Sequence, residues 1–183
     1  MLYWRLEADL LLKYKDNAGA FAAFKNAHQI DPENPHLNYQ YAIVAQEFGE
    51  TGLAERLLQG IISSDSSNAS ALNALGFMLL EKTNRLTEAA KYIEKAHQLR
   101  PDNAAIVDSM GWLQFHKGNY KEAAALLSSA YQKTEDPEIA SHLIEVLVVQ
   151  GDTKQAKELL AHMIEQYPDD KRLKSIQIKI IDI

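Results

Sequence analysis

Alanine stands at residue 20 of the chain and recurs at Ala54, Ala89, Ala123 and Ala156, at intervals of about 34 residues. Three of these alanines precede a proline by twelve residues, in "AHQIDPEN" (27–34), "AHQLRPDN" (96–103) and "MIEQYPDD" (163–170). The two segments without that proline keep the apolar residues after the alanine: Leu58 and Ile61 after Ala54, Leu127 and Ala130 after Ala123. A period of this length marks a helix–turn–helix unit that buries its apolar face only by stacking on its neighbours.

Five copies follow, at 1–34, 35–68, 69–103, 104–136 and 137–170. The third carries one extra residue in its inner turn, "KTNR", and the fourth is one residue short. Position eight of the copies reads Ala8, Ala42, Gly76, Gly111 and Ile144. Two antiparallel helices joined by a tight turn approach closely only where side chains are small, so positions eight and twenty form the seam of each hairpin. Phe24, Leu58, Ile93, Leu127 and Leu160 fill the space beside that seam from the second helix. Leu75, Met110 and Leu143 answer from the first. Turns between the helices fall at Asp16–Asn17, Gly49, Asn84, Gly118–Asn119 and Gly151–Asp152, where a positive φ or a cap is useful. With no sustained alternation of Val, Thr and Ile, almost no strand is expected, and the fold class is all-α.

Composition narrows the function. Of 183 residues, 46% are hydrophobic and 24% charged, as in folded chains rather than disordered ones. The net charge of −6 argues against a nucleic-acid partner, because phosphate-binding domains carry a basic face. There is no cysteine, which removes disulfides, thiolate metal sites and cysteine nucleophiles together. No apolar run approaches the roughly 18–20 residues of a membrane helix, so no direct membrane insertion is expected of this chain. Glu7 and Asp9 interrupt the opening "MLYWRLEADLLLKYKD", which therefore does not read as a signal peptide.

Catalytic chemistry is hard to find. Six histidines are present, and none forms H-E-x-x-H. His142 and Glu145, at i and i+3, are half of a metal motif with no second half, and read as a surface pair. The serines at 63, 64, 66 and 67 read as a loose end of the second copy. No Gly-rich phosphate loop and no G-x-S-x-G occurs, so neither an enzyme nor a cofactor is expected.

The ends carry apolar surface. Leu2, Tyr3, Leu6 and Leu10 give the first helix more than its partner helix can cover, whereas a terminal repeat normally shows a polar outer face. Further repeats ahead of residue 1 are expected, or a homo-oligomer formed through this face. The segment "KRLKSIQIKIIDI" (171–183) sets Leu173, Ile176, Ile180 and Ile183 on one stripe, as a C-terminal capping helix or the first helix of a sixth copy.

With small residues at eight and twenty, a large apolar residue at twenty-four and the closing proline, the copies resemble tetratricopeptide repeats (TPR) over about 170 residues. Glu7, Ile144, Met163 and Ser66 depart from the pattern. The resemblance implies a right-handed solenoid, five repeats plus the capping helix, whose concave side is lined by the first helices. It also implies a non-catalytic scaffold that binds a protein or peptide there. Carried onto this chain, the family's contact positions give Tyr39, Gln40 and Ile43 in copy two and Asn73 and Phe77 in copy three. Copy four gives Asp108, Ser109, Trp112 and Phe115, and copy five His142 and Glu145. Tyr39, Ile43, Phe77, Trp112 and Phe115 then form a row of large apolar side chains flanked by hydrogen-bonding groups, the composition of an interface hot spot. The implied ligand is an amphipathic helix or extended peptide with basic or neutral flanks. The competing reading buries these rings between neighbouring first helices, and Trp112 is expected to be the ring most open to a partner.

The carboxylate-clamp mode of this family is not matched: copies one to three supply Arg5, Asp9, Gln40, Ser70 and Ala74 at its positions, and copies two to four Tyr39, Ile43, Ala74, Ala105 and Ser109. The texts at 73–112 and 136–147 are similar to the C-terminal repeats of bacterial outer-membrane TPR lipoproteins, adaptors for periplasmic proteases and cell-wall enzymes. That resemblance implies a periplasmic, outer-membrane-associated location and a lipid-anchored segment ahead of residue 1; without it, a cytoplasmic location is expected. Two other readings stand beside the scaffold: a self-assembling structural module, and an accessory region of a larger enzyme.

Overall fold

The computed structural model describes residues 2–14, 16–83 and 85–180, and only the backbone at residues 2–5, 9 and 180. Arg5 and Asp9 of the clamp test, the turn residue Asn84, the side chains of Leu2, Tyr3 and Ile180, and Ile183 therefore lie outside the described residues. Eleven α-helices and no strand occur among the described residues. They run in antiparallel pairs: α1 (Leu2–Lys13) with α2 (Asn17–Ile30), α3 (Pro35–Glu47) with α4 (Thr51–Ser64), and α5 (Ala69–Lys82) followed by α6 (Leu86–Leu99). Then come α7 (Ala104–His116) with α8 (Tyr120–Thr134), α9 (Pro137–Val149) with α10 (Thr153–Gln166), and a single α11 (Lys171–Ile180).

The chain divides into two compact units, residues 1–92 and 93–183. In both, the seam of each hairpin is made of the small residues. Ala20, Ala54, Ala89, Ala123 and Ala156 have no exposed surface, and Ala8, Ala42, Gly76 and Gly111 are buried with them. At Gly111 the requirement is steric, because a Cβ there would lie 2.7 Å from Leu127 Cγ on the paired helix. Ile144 and Met163, the large residues of copy five, are also buried, and Tyr131 Oη donates to Met163 Sδ at 3.2 Å. Gly49, Gly118 and Gly151 close three of the inner turns with φ of 77°, 81° and 83°, where an L side chain would be strained.

Each later first helix begins with the same chemistry. The side chains of Asn34, Asn68, Asn103, Asp136 and Asp170 accept from backbone N–H groups of the first turns of α3, α5, α7, α9 and α11, satisfying donors that a helix start leaves open. The serine-rich end of copy two is thus not loose. Ser67 N–H and Oγ–H both donate to Asp65 Oδ1, at 2.9 and 2.6 Å, and Asn68 caps α5 one residue later. The turn "KTNR" is held by side-chain bonds of Thr83 and Arg85. Thr83 Oγ1 donates to Leu79 O and accepts from Arg85 N–H, and the Arg85 guanidinium bridges Glu55 on α4 and Glu88 on α6. Those two carboxylates hold the Arg85 proton above the ordinary arginine range.

The second unit ends on α11. Leu173 and Ile176 are buried in the core that α8, α9 and α10 build from Ala123, Leu127, Leu143, Val146, Leu160 and Met163. Arg172 ties α11 to α9 through Glu138 at 2.8 Å and to its own cap through Asp170 at 3.3 Å.

Candidate functional site

The contact positions of the first helices fall into two faces, one in each unit. In the first unit, Tyr39, Gln40 and Ile43 on α3 and Asn73 and Phe77 on α5 are all half-buried. Tyr39 and Ile43 are one turn apart, as are Asn73 and Phe77, so each helix presents an apolar side chain beside an amide. Burial pushes the Tyr39 phenol above its ordinary value. Asn73 Oδ1 is buried and has no hydrogen-bond partner among the described residues. Such an atom costs free energy until a donor reaches it.

The face in the second unit is closed on itself. Trp112 is 7% exposed, so the expectation that it is the ring most open to a partner is corrected. Its indole lies parallel to the Phe115 ring at 4.7 Å and to the His142 imidazole at 4.2 Å, while the His116 ring meets it edge-on at 5.1 Å. His142 comes from the next repeat and is held there by Asp108, with Nδ1 and Oδ1 2.8 Å apart and both side chains buried. A carboxylate only accepts, so Nδ1 carries the proton and the hydrogen bond fixes the ring over the indole. Asp108, Trp112 and His142 are thus a repeat-to-repeat junction between α7 and α9. His142 is buried and not on the surface as expected, and no group of three or more metal-ligating side chains occurs among the described residues. Ser109 is buried too, with Oγ–H donating to Ala105 O at 3.0 Å in its own helix. Phe115 and Glu145 remain half-buried, Phe115 with the Tyr120 ring at 5.6 Å.

A cavity of ≈ 460 Å³ lies elsewhere in the first unit, lined by His28, Pro32, Asn38, Arg56, Leu57 and Gly60 among others. Two of its polar side chains are paired: Asn38 Nδ2 donates to Pro32 O at 2.7 Å, and Asn38 Oδ1 accepts from His28 Nδ1, also at 2.7 Å. No helix among the described residues is long and apolar enough to cross a membrane.

Paired antiparallel helices of this length, sealed by alanine and glycine and restarted by an Asn or Asp cap, define a helical-hairpin repeat protein. The tetratricopeptide-repeat family model matches residues 11–76 and 114–180, and the chain belongs to that family. It is 36% identical over 140 residues to a TPR repeat-containing protein of Pseudomonas aeruginosa, covering 76% of this chain and 24% of that protein. It therefore spans about a quarter of the length of the curated relatives it matches. Among solved structures, a TPR protein of Thermus thermophilus superposes with a TM-score of 0.83 at 21% identity, over 98% of this chain and 97% of that one. The type IV pilus biogenesis factor PilW superposes at 0.73 and 14% identity, over 96% and 82%. At these identities the likeness is one of fold.

The face on α7 and α9 was only partly legible in sequence. Repeat register places Trp112 and His142 correctly on the first helices. It gives no sign that Asp108, 34 residues from His142, would draw the imidazole over the indole. The caps were missed although their signal is plain: an Asn or Asp stands immediately before each copy from the second onward, and again at Asp170.

Proposed function

We propose that the chain is a non-catalytic protein-interaction scaffold, and that its partner-binding face in the first unit is formed by Tyr39, Gln40, Ile43, Asn73 and Phe77. The observation that carries this is the state of those side chains. They alternate apolar and amide groups and are half-buried, where the equivalent Trp112 of the second unit is closed over. The amides of Gln40 and Asn73 offer hydrogen bonds to a peptide, while Tyr39, Ile43 and Phe77 take apolar side chains of the same partner. In the second unit, Phe115 and Glu145 are the contact positions left accessible, and Trp112 acts by holding the α7–α9 junction that supports them. The resemblance of residues 73–112 and 136–147 to outer-membrane TPR lipoproteins, with a bacterial relative at 36% identity, favours an adaptor for a periplasmic protease or cell-wall enzyme.

The test is affinity capture of partners from a bacterial periplasmic extract, with wild-type protein beside Tyr39→Ala and Phe77→Ala. Truncating a hot-spot ring costs about 2 kcal/mol or more of binding, roughly a thirtyfold loss of affinity. Both variants should retain wild-type helicity by circular dichroism and lose the captured partner. Retention of every partner by both variants would rule out this face.

A further inference from the structure

Gly60 stands inside α4 although neither packing nor backbone geometry requires a glycine there. A Cβ at this position would meet no atom within 4 Å, and the φ is not positive. Glycine disfavours a helix interior more than any residue except proline. Six places after the seam alanine, the other copies carry Asn26, Lys95, Ser129 and His162. What this glycine does is leave room. It lines the cavity of ≈ 460 Å³ in the first unit, together with Arg56 and Leu57 one turn earlier. A side chain at position 60 would lean back over that turn and fill the space.

The lining has an apolar part and one uncompensated charge. Leu57 and Ile61, both buried, supply the apolar part from α4, and Pro32 adds to it from the connection between α2 and α3. Arg56 Nη1 lies 3.7 Å from where a Cβ on Gly52 would stand, so the guanidinium folds back over a second glycine. It makes no hydrogen bond or ion pair among the described residues, whereas Arg85 and Arg172 each hold two carboxylates. The adjacent Glu55 is taken by Arg85. The acids that line the cavity are compensated. Asp65 Oδ1 accepts from both the N–H and the Oγ–H of Ser67. Glu33 stands at the N-terminus of α3, where the helix dipole favours a negative charge. Arg56 is therefore the charge that the cavity offers to a partner.

We infer that this cavity is a peptide-binding site, taking an apolar side chain of a partner whose neighbouring Asp or Glu pairs with Arg56. Arg56, Gly60, Ser64 and Glu33 are exposed, so the cavity encloses an occupant from one side only. That suits a side chain projecting from a polypeptide better than a free small molecule, which a pocket encloses over most of its surface. None of Tyr39, Gln40, Ile43, Asn73 and Phe77 lines the cavity, so the site is separate from the α3–α5 face and does not rest on it.

Selection of a phage-displayed library of random peptides on residues 1–183 tests this, with the enriched peptides synthesised and their affinities measured by fluorescence anisotropy. The expected peptides share an apolar residue beside an Asp or Glu. They should lose about tenfold or more in affinity for Gly60→Gln and for Arg56→Gln, and bind Phe77→Ala as they bind wild type. Gly60→Gln should also raise the urea midpoint, which separates loss of the cavity from loss of the fold. No enrichment, or enriched peptides that bind Gly60→Gln as tightly as wild type, would overturn the inference. Peptides with Lys or Arg in place of the acidic residue would overturn it as well. Peptides weakened by Phe77→Ala but not by Gly60→Gln would belong to the α3–α5 face and count against the cavity.

Discussion

Replacing Gly111 by alanine sets two physical effects against each other. Alanine gains about 1 kcal/mol over glycine inside a helix. Here, however, the new Cβ would stand 2.7 Å from Leu127 Cγ and 3.2 Å from Leu126 Cβ, an atom fixed to the backbone. Overpacking of that kind costs about 1–3 kcal/mol and outweighs the helix preference. Gly60 is the control, because no atom lies within 4 Å of the Cβ it would gain. Urea titration should therefore show Gly111→Ala destabilised and Gly60→Ala stabilised. Trp112→Ala removes a buried ring from between Phe115 and His142 and should cost about 3–5 kcal/mol. Phe77→Ala, at a half-buried position, should cost distinctly less on the same titration. Loss of binding in a Trp112 variant would thus report on folding, whereas loss in a Phe77 variant reports on the face.

At the scale of elements, the helix starts are the most regular feature of the molecule, and α11 shows how one of them titrates. Burial pushes the Asp170 carboxyl up, but the Arg172 guanidinium and the N–H groups of Leu173 and Arg172 together bring it below the ordinary carboxylate value. A lowered folded value means the ionised carboxylate stabilises the fold above the unfolded pKa of about 3.9, and that this contribution is lost as pH falls through the folded value. Asp170→Asn keeps an acceptor for the cap but not the charge opposite Arg172. The variant should have a lower urea midpoint than wild type at neutral pH, and the gap should close as pH falls below about 4. The hairpins were legible in sequence for a physical reason: a close helix contact demands Ala or Gly, and Ala54 or Gly111 announces that demand by identity alone. The junctions between repeats were less legible, because Trp112 and His142 pack by large side chains whose fit depends on residues a full copy away. The serines before Asn68 misled for the opposite reason. Their composition is that of a loop, while the hydrogen bonds of Ser67 to Asp65 make a compact cap.

At the scale of the molecule, labour is divided among the first helices. α7 and α9 bury Asp108, His142 and Trp112 against each other, and the contact positions of α3 and α5 stay half-buried. A partner is proposed to bind on the α3–α5 face. Photo-crosslinking tests it most directly, with a benzophenone amino acid placed at Ile43 on that face or at exposed Gln59 on α4 in the same unit. A partner protein should be captured from position 43 and not from position 59. Capture from position 59 with none from position 43 would contradict it.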